Sequence, residues 1–293
     1  MATSRPPIIV GIDGTTAGDQ ALRWALDDAV VRNDPVQVVC CHRRPMTIGG
    51  EVLHPVEVEQ MGRAAHDFAD EVVEKALELA RGIAPEVEVT GDVVDGHPAA
   101  VLTDRSADAA RLVVGSRHLK AFGSAILGSV GAGVSARAQC PVIVIRGPAG
   151  LAAEHPAVVV GVDGIDGTEQ ALQFGFEHAS RHGVPLHALM CWRPDPLATM
   201  QWAVEAPAPS HAQAWLTETV EKWNQRYPEV AASGAVVRDH PVAGLVARSA
   251  AQHLLVVRSR TRHAIAGTLL GSVSQGVLHH ATCPVAVIPT AVE

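Results

Sequence analysis

"LVVGSRHLKAFGSAILGSV", residues 112–130, runs an apolar stretch into a glycine, continues through a loop of small and basic residues, and opens the next helix on a Gly-Ser pair. A strand, a glycine-bearing loop and a helix start in that order make a phosphate cradle. Glycine lets main-chain amides approach an anion, and the helix start adds unpaired N–H groups and the positive end of its dipole. The arrangement returns as "LLVVRSRTRHAIAGTLLGSV", residues 254–273, with glycines of the first copy replaced.

The repetition extends well beyond the cradle. "PIIVGIDGTTAGDQALRWALDDA" (7–29) returns as "AVVVGVDGIDGTEQALQFGFEHA" (157–179), "GHPAAVL" (96–102) as "DHPVAGL" (239–245), and "LGSVGAGVSARAQCPVIVI" (127–145) as "LGSVSQGVLHHATCPVAVI" (270–288). A repeat of this length is a domain rather than a solenoid unit, and 293 residues accommodate two. The expected domains are 1–149 and 150–293, joined through "GPAGLAAEHP" (147–156), which has the composition of a linker.

Within the first copy, apolar runs predict strands at 7–12, 36–41, 86–94, 111–115 and 142–146. "PIIVGI" is apolar at every position but its glycine, as a parallel strand buried on both faces should be. Ala21, Leu22, Ala25, Leu26, Ala29 and Val30 recur at helical spacing. Further helices are expected near 58–82, 98–109 and 129–139, and the Pro- and Gly-containing segments 43–57 and 193–210 read as long irregular loops. Strands alternating with helices predict an α/β fold: two tandem, doubly wound, five-stranded parallel-sheet domains.

Composition narrows the function. Apolar residues make up 47% of the chain and charged residues 18%, so a core is easily built. Net charge is −8 and the only lysines are Lys75, Lys120 and Lys222, which argues against nucleic acid as a partner. No apolar run approaches the roughly 18 residues that cross a bilayer, and "MATSRPPIIVGIDG" lacks a secretory apolar core, so a cytoplasmic, membrane-free protein is expected. Five cysteines without a C-x-x-C read as reduced thiols, Cys40 and Cys41 pointing to opposite faces of one strand.

In a doubly wound sheet the ligand sits outside the carboxyl ends of the strands, where strand order reverses. Asp13 and Asp163 follow the first strand of each copy. Such a carboxylate either accepts hydrogen bonds from an exocyclic amine or ribose hydroxyl, or serves as a turn or cap residue for the next helix. Gly115 and Ser116 follow the fourth strand, and Gly128 and Ser129 open the last helix. Ser129 offers a hydroxyl to a phosphate or a metal-bound water, or else it is simply an N-cap. Other motifs fail. "GAGVSA" (131–136) lies inside the last helix, and there is no G-x-x-x-x-G-K-[ST], G-x-S-x-G or H-E-x-x-H. His279 and His280 are adjacent rather than at ligand spacing, so no metal site is expected.

"GIDGT" ending a strand, "GHPA" before the third helix, "VVGS" after the fourth strand, "LGSV" opening the last helix and "CPVIVI" as the final strand together resemble the universal stress protein family. The doubled arrangement is similar to its tandem members in actinobacteria. The ATP-binding branch of that family carries G-x-x-G, nine residues, then G-[ST]. The first copy here reads Gly115, Ser116, Arg117, His118, nine residues, Gly128-Ser129. The second reads Arg258, Ser259, Arg260, Thr261, nine residues, Gly271-Ser272. The resemblance also places Asp13 with Cys40 and Cys41, and Asp163 with Met190 and Cys191, against adenine.

A β-carbon at His118, if positive φ is needed there, costs about 1–2 kcal/mol, about tenfold in affinity. Arg258 puts a long side chain where backbone should touch the ligand, though its guanidinium is able to grip phosphate. The first site is therefore expected to bind more readily. The resemblance implies a stress-response regulatory protein that binds ATP or another adenine nucleotide, with or without Mg²⁺, and has no dedicated catalysis. It also implies a homodimer, with the two halves joined through "CPVIVI" and "CPVAVI" as an internal pseudo-dimer. The alternatives are a non-binding dimerisation or interaction scaffold of the same family and a slow ATP-hydrolysing or adenylating enzyme.

Overall fold

The core of each half grows outward from its first strand. A computed structural model describes residues 5–43, 47–48, 51–52, 54–116, 128–146, 156–164, 168–192, 209–259 and 270–290. The chain divides into two units, Met1–Ile145 and Arg146–Glu293. The expected linker residues 147–155 lie outside the described residues.

In the first unit, β1 (Ile8–Ile12) is buried except at Gly11 and pairs in parallel with β2 (Val36–His42) and with β6 (Arg111–Gly115). β5 (Val89–Asp95) extends the sheet beyond β2, and β7 (Val142–Ile145) extends it beyond β6, giving the order β7-β6-β1-β2-β5, all parallel. Among the described residues the α-helices of the unit are α1 (Thr16–Arg32), α2 (Pro55–Ile83), α3 (Pro98–Arg105) and α4 (Ser129–Arg137). The second unit repeats the plan with β8 (Val158–Val162), α5 (Thr168–His182), β9 (Leu186–Trp192), α6 (Pro209–Arg226), β10 (Ala232–Arg238), α7 (Pro241–Ser249), β11 (Leu254–Arg258), α8 (Ser272–His280) and β12 (Val285–Ile288). Its strands run β12-β11-β8-β9-β10, again all parallel. The chain is therefore two doubly wound α/β domains, each with strand order reversing beside its first strand.

The helical stripe of α1 forms as the spacing predicts: Ala21, Leu22, Ala25, Leu26 and Ala29 are fully buried. Val30, expected in that stripe, is 44% exposed, and the helix ends at Asn33, which takes left-handed backbone. Beneath the stripe, Asp28 of α1 and Arg111 of β6 form an ion pair at 2.6 Å, both side chains almost fully buried.

The segment 43–57 is less irregular than its composition suggests. β3 (Thr47–Ile48) and β4 (Glu51–Val52) form a short antiparallel pair, and α2 begins at Pro55. Proline in the first turn of a helix loses no hydrogen bond, so the residue read as a breaker is a start signal. A capping box closes this end, with Glu57 accepting from the His54 amide at 2.8 Å and His54 Nδ1 accepting from the Val56 amide. The counterpart 193–210 lies outside the described residues up to 208, and α6 likewise starts on a proline, Pro209. The third strand begins at Val89 rather than 86, since the Val87 amide turns back to the Ala84 carbonyl. Among the described residues no helix is long and apolar enough to cross a membrane. All five cysteines are free, with Cys40 buried and Cys41 half-exposed on the opposite face of β2.

Candidate functional site

Each unit has a cavity at the point where its strand order reverses. In the first it measures about 310 Å³ and lies between the carboxyl ends of β1, β2 and β6 and the starts of α1, α3 and α4. In the second it measures about 490 Å³ in the corresponding place.

Glycines make this room for different reasons. A β-carbon on Gly115 would fall 2.2 Å from the Ala17 carbonyl oxygen, so this glycine lets α1 start close beside the end of β6. Gly128 differs. Its φ of −62° suits any residue, and a β-carbon there would meet nothing within 4 Å among the described residues. The fold does not require Gly128 to be glycine, and its bare Cα faces open space in the cavity wall.

Gly128 is the N-cap of α4 and Gly271 that of α8, and among the described residues neither helix start receives a side-chain cap. Helix α1, by contrast, is capped by Thr15, which accepts from the Gly18 amide. The first-turn residues Val130 and Gly131, with Ser129, line the first cavity, and Ser272, Val273 and Ser274 line the second. An uncapped helix start of this kind offers an anion N–H donors together with the positive end of the helix dipole.

Asp13 lines the first cavity and also builds a turn: its Oδ1 accepts from the Thr15 amide at 3.2 Å and from the Thr15 hydroxyl at 2.6 Å. In the second unit Asp163 accepts from the Thr168 hydroxyl at 3.2 Å. The carboxylates thus hold the helix starts in place while standing in the cavity wall.

Ser116 is not part of that wall. It is 4% exposed and its amide donates to the Ile145 carbonyl, continuing the β6–β7 pairing. Ser259 does the same with Ile288. His118 lies outside the described residues.

Cys41 and Cys191 line their cavities, while Cys40 points into the core. Burial raises both cavity thiols above their ordinary value, against the lowering influence of Arg105 on Cys41 and of Arg248 on Cys191. Burial and the neighbouring Cys41 push Cys40 up to about 11. Held as neutral thiols at pH 7, these cysteines are packing groups rather than nucleophiles. Around Cys41, Ile12, Val39, Leu102 and Val114 give the inner cavity an apolar surface.

Arg258 supplies the strongest anion signal. It ends β11 and lines the second cavity, and its Nε and Nη1 are buried with no hydrogen-bond partner among the described residues. A guanidinium withdrawn from water without acceptors is costly unless a ligand supplies them. Its backbone is fixed, because the Arg258 carbonyl accepts from the Ser274 hydroxyl at 2.6 Å. Sequence reasoning identified Arg258 but missed Ser274, Thr15 and Thr168. The only signal for the threonines was a hydroxyl residue shortly after each "DG", as helix starts favour.

The family model described as Universal stress protein family matches residues 5–146 and again 156–289. A universal stress protein of Mycobacterium tuberculosis (strain ATCC 25618 / H37Rv) is 37% identical over 289 residues, covering 96% of this chain and 95% of that protein. A solved universal stress protein from Archaeoglobus fulgidus aligns over 97% of this chain and 98% of its own with a TM-score of 0.69 at 18% identity. A shorter one, solved in complex with cAMP, covers 49% of this chain and 99% of its own, with a TM-score of 0.36 at 23% identity.

Proposed function

The chain belongs to the universal stress protein family, and from that premise we propose that both of its halves bind an adenine nucleotide, as a regulatory ligand rather than a substrate for turnover. The observation that carries this reading is the pair of uncapped helix starts, at Gly128 and Gly271, each opening into a cavity at a strand-order reversal. The apolar inner surface near Cys41 suits a base, Asp13 is placed for a ribose hydroxyl or exocyclic amine, and the phosphates fall at the helix start. In the second half Asp163 and Cys191 take the corresponding places, and Arg258 replaces backbone amides as the phosphate grip. ATP fits a donor set of this reach. Where Mg²⁺ accompanies it, the hydroxyls of Ser129 and Ser272 would be available to the ion or to a phosphate.

Among the described residues lining the cavities, burial raises the thiols and the aspartates accept from the Thr15 and Thr168 hydroxyls, which favours a bound ligand over a turned-over substrate. The reading is therefore one of ligand-gated presentation of a surface.

Calorimetric titration of ATP into the full chain and into Gly128→Ala tests it. The alanine has room in the protein, so the fold should survive, while the first site should weaken about tenfold as the methyl meets the phosphates. No heat from the intact chain would remove nucleotide binding and leave the scaffold alternative. Multiple-turnover release of phosphate, abolished by Asp13→Ala, would replace the regulatory reading with an enzymatic one.

A further inference from the structure

At the opposite end of the second unit from its cavity, three histidines converge. His178 and His182 are one turn apart near the end of α5, so they share a helix face. His253 immediately precedes β11, and its backbone is tied down because its amide donates to the Ala157 carbonyl at 3.0 Å. Gln252 holds the same junction by accepting from the Ala157 amide at 2.8 Å. One ring nitrogen from each histidine lies within 4.8 Å of those of the other two. His178 is 1% exposed, and the other two are half-buried. We propose that His178, His182 and His253 form a binding site for a divalent transition-metal ion of the zinc class.

Four observations support the proposal. First, the Nε2 atoms of His178 and His253 are 3.0 Å apart. Only one of them carries a proton at that distance, and two ligands of a tetrahedral zinc ion stand about 3.3 Å apart by the usual Zn–N lengths. Second, the rings are already grouped, with centroids at 4.1 Å for His178 and His182, 5.1 Å for His178 and His253, and 5.0 Å for His182 and His253. Third, Phe174 stacks parallel to the His178 ring and fixes its plane, as a supporting residue around a metal site does.

The fourth comes from the other repeat. The counterparts of His178 and Leu254 are Asp28 and Arg111, which form the buried ion pair of the first unit. The second unit has a leucine in place of that arginine, whose positive charge would repel a metal ion, and three imidazoles where the first unit has an acid–base pair. Imidazole nitrogens favour Zn²⁺, Ni²⁺, Co²⁺ and Cu²⁺ over Mg²⁺ or Ca²⁺. Three protein ligands leave a fourth position for water or an external ligand, with the half-buried His182 and His253 providing the way in.

The test uses the full chain, stripped of metal with chelator and titrated with Co²⁺ as a visible probe and with Zn²⁺ in thermal unfolding. One equivalent of Co²⁺ should give the intense bands of low-coordinate cobalt, and Zn²⁺ should raise Tm. His182→Asn and His253→Asn should each weaken Co²⁺ binding at least tenfold, whereas the double variant His279→Asn/His280→Asn should bind like the parent. His178 is buried, so its replacement risks the fold and is not needed. Circular dichroism of the two single variants confirms that they are folded. Absence of a one-equivalent cobalt spectrum in the parent, or the same affinity in folded His182→Asn and His253→Asn, would overturn the proposal. Loss of binding confined to the His279/His280 variant would also overturn it, by moving the metal elsewhere.

Discussion

The two halves share a fold and differ in side-chain chemistry at the two ends of their central strands. At the carboxyl ends, the first half relies on bare backbone, with Gly115 closing β6 against Ala17 and Gly131 in the first turn of α4. The second half has side chains at the same two places, Arg258 and Ser274, and the Ser274 hydroxyl donates to the Arg258 main-chain carbonyl. At the amino ends, a buried Asp28–Arg111 pair in the first half gives way to histidines in the second. The two halves keep one backbone plan, while each polar junction is filled by a different set of side chains.

The largest effect that would sharpen this comparison is at the buried pair. Arg111→Leu imports the residue of the second half but leaves the Asp28 carboxylate buried without its partner, which should cost about 3–5 kcal/mol. The double variant Asp28→Asn/Arg111→Leu removes both charges and should recover much of that loss. Chemical denaturation of both measures the difference. If the single and double variants lose the same stability, the pair is not the polar lock of the first half.

Next in size is Arg258→Leu. A charge-assisted hydrogen bond is worth about 1.5–3 kcal/mol, so ATP affinity at the second site should fall about 10- to 100-fold with the first site unchanged. Calorimetry of the full chain resolves the two. An unchanged second site would mean that backbone amides suffice there too, and the contrast between the halves would collapse. Tighter binding at the second site than at the first in the parent would reverse the order that glycine loss suggests.

The third contrast is between two thiols at matching positions before the last strands. Burial pushes Cys140 from 9.0 up to about 12 and Cys283 up to about 11, the latter restrained by a hydrogen bond with Ser249. Each is raised in the folded state, so its contribution to stability is complete below pH 9.0. It is then lost as pH climbs, through about 12 for Cys140 and about 11 for Cys283. Each thiol should remove about 1.4 kcal/mol per pH unit in its window. In thermal unfolding between pH 9 and 11, Cys140→Ala and Cys283→Ala should each flatten the decline. A decline as steep as the parent's in both would place the alkaline weakness elsewhere.

How much of this was legible beforehand depended on whether a signal was local. The strands were legible because a parallel strand buried on both faces must be apolar throughout, as at Ile8, Ile9 and Val10. The switch-point location of Asp13, Gly128 and Gly271 followed from the order of elements alone. Pro55 misled because proline has opposite meanings inside a helix and at its first position, and only the cap contacts of His54 and Glu57 distinguish them. Ser116 misled because "GS" after a strand does not reveal which residue turns inward. The histidine cluster was half visible, as an i, i+4 pair at His178 and His182, but its third member comes from the turn before β11, distant in sequence. The adjacent His279 and His280 drew attention although their rings are 6.5 Å apart.

The smallest effect isolates the bond that distinguishes the second cavity. The Ser274 hydroxyl donates to the Arg258 carbonyl at 2.6 Å in a buried setting, and the first half has Gly131 there with no hydroxyl to give. Ser274→Ala removes the donor without disturbing helix propensity and should lower stability by about 1 kcal/mol, the net value of a single buried hydrogen bond. Thermal unfolding should show this as a fall of a few degrees in Tm. The accompanying ATP titration then distinguishes two functions for the bond. If the hydroxyl also aims the guanidinium, the second site weakens along with the fold. If affinity holds while Tm falls, Ser274 only joins α8 to the end of β11, and Arg258 reaches the phosphates on the strength of its own position in the strand.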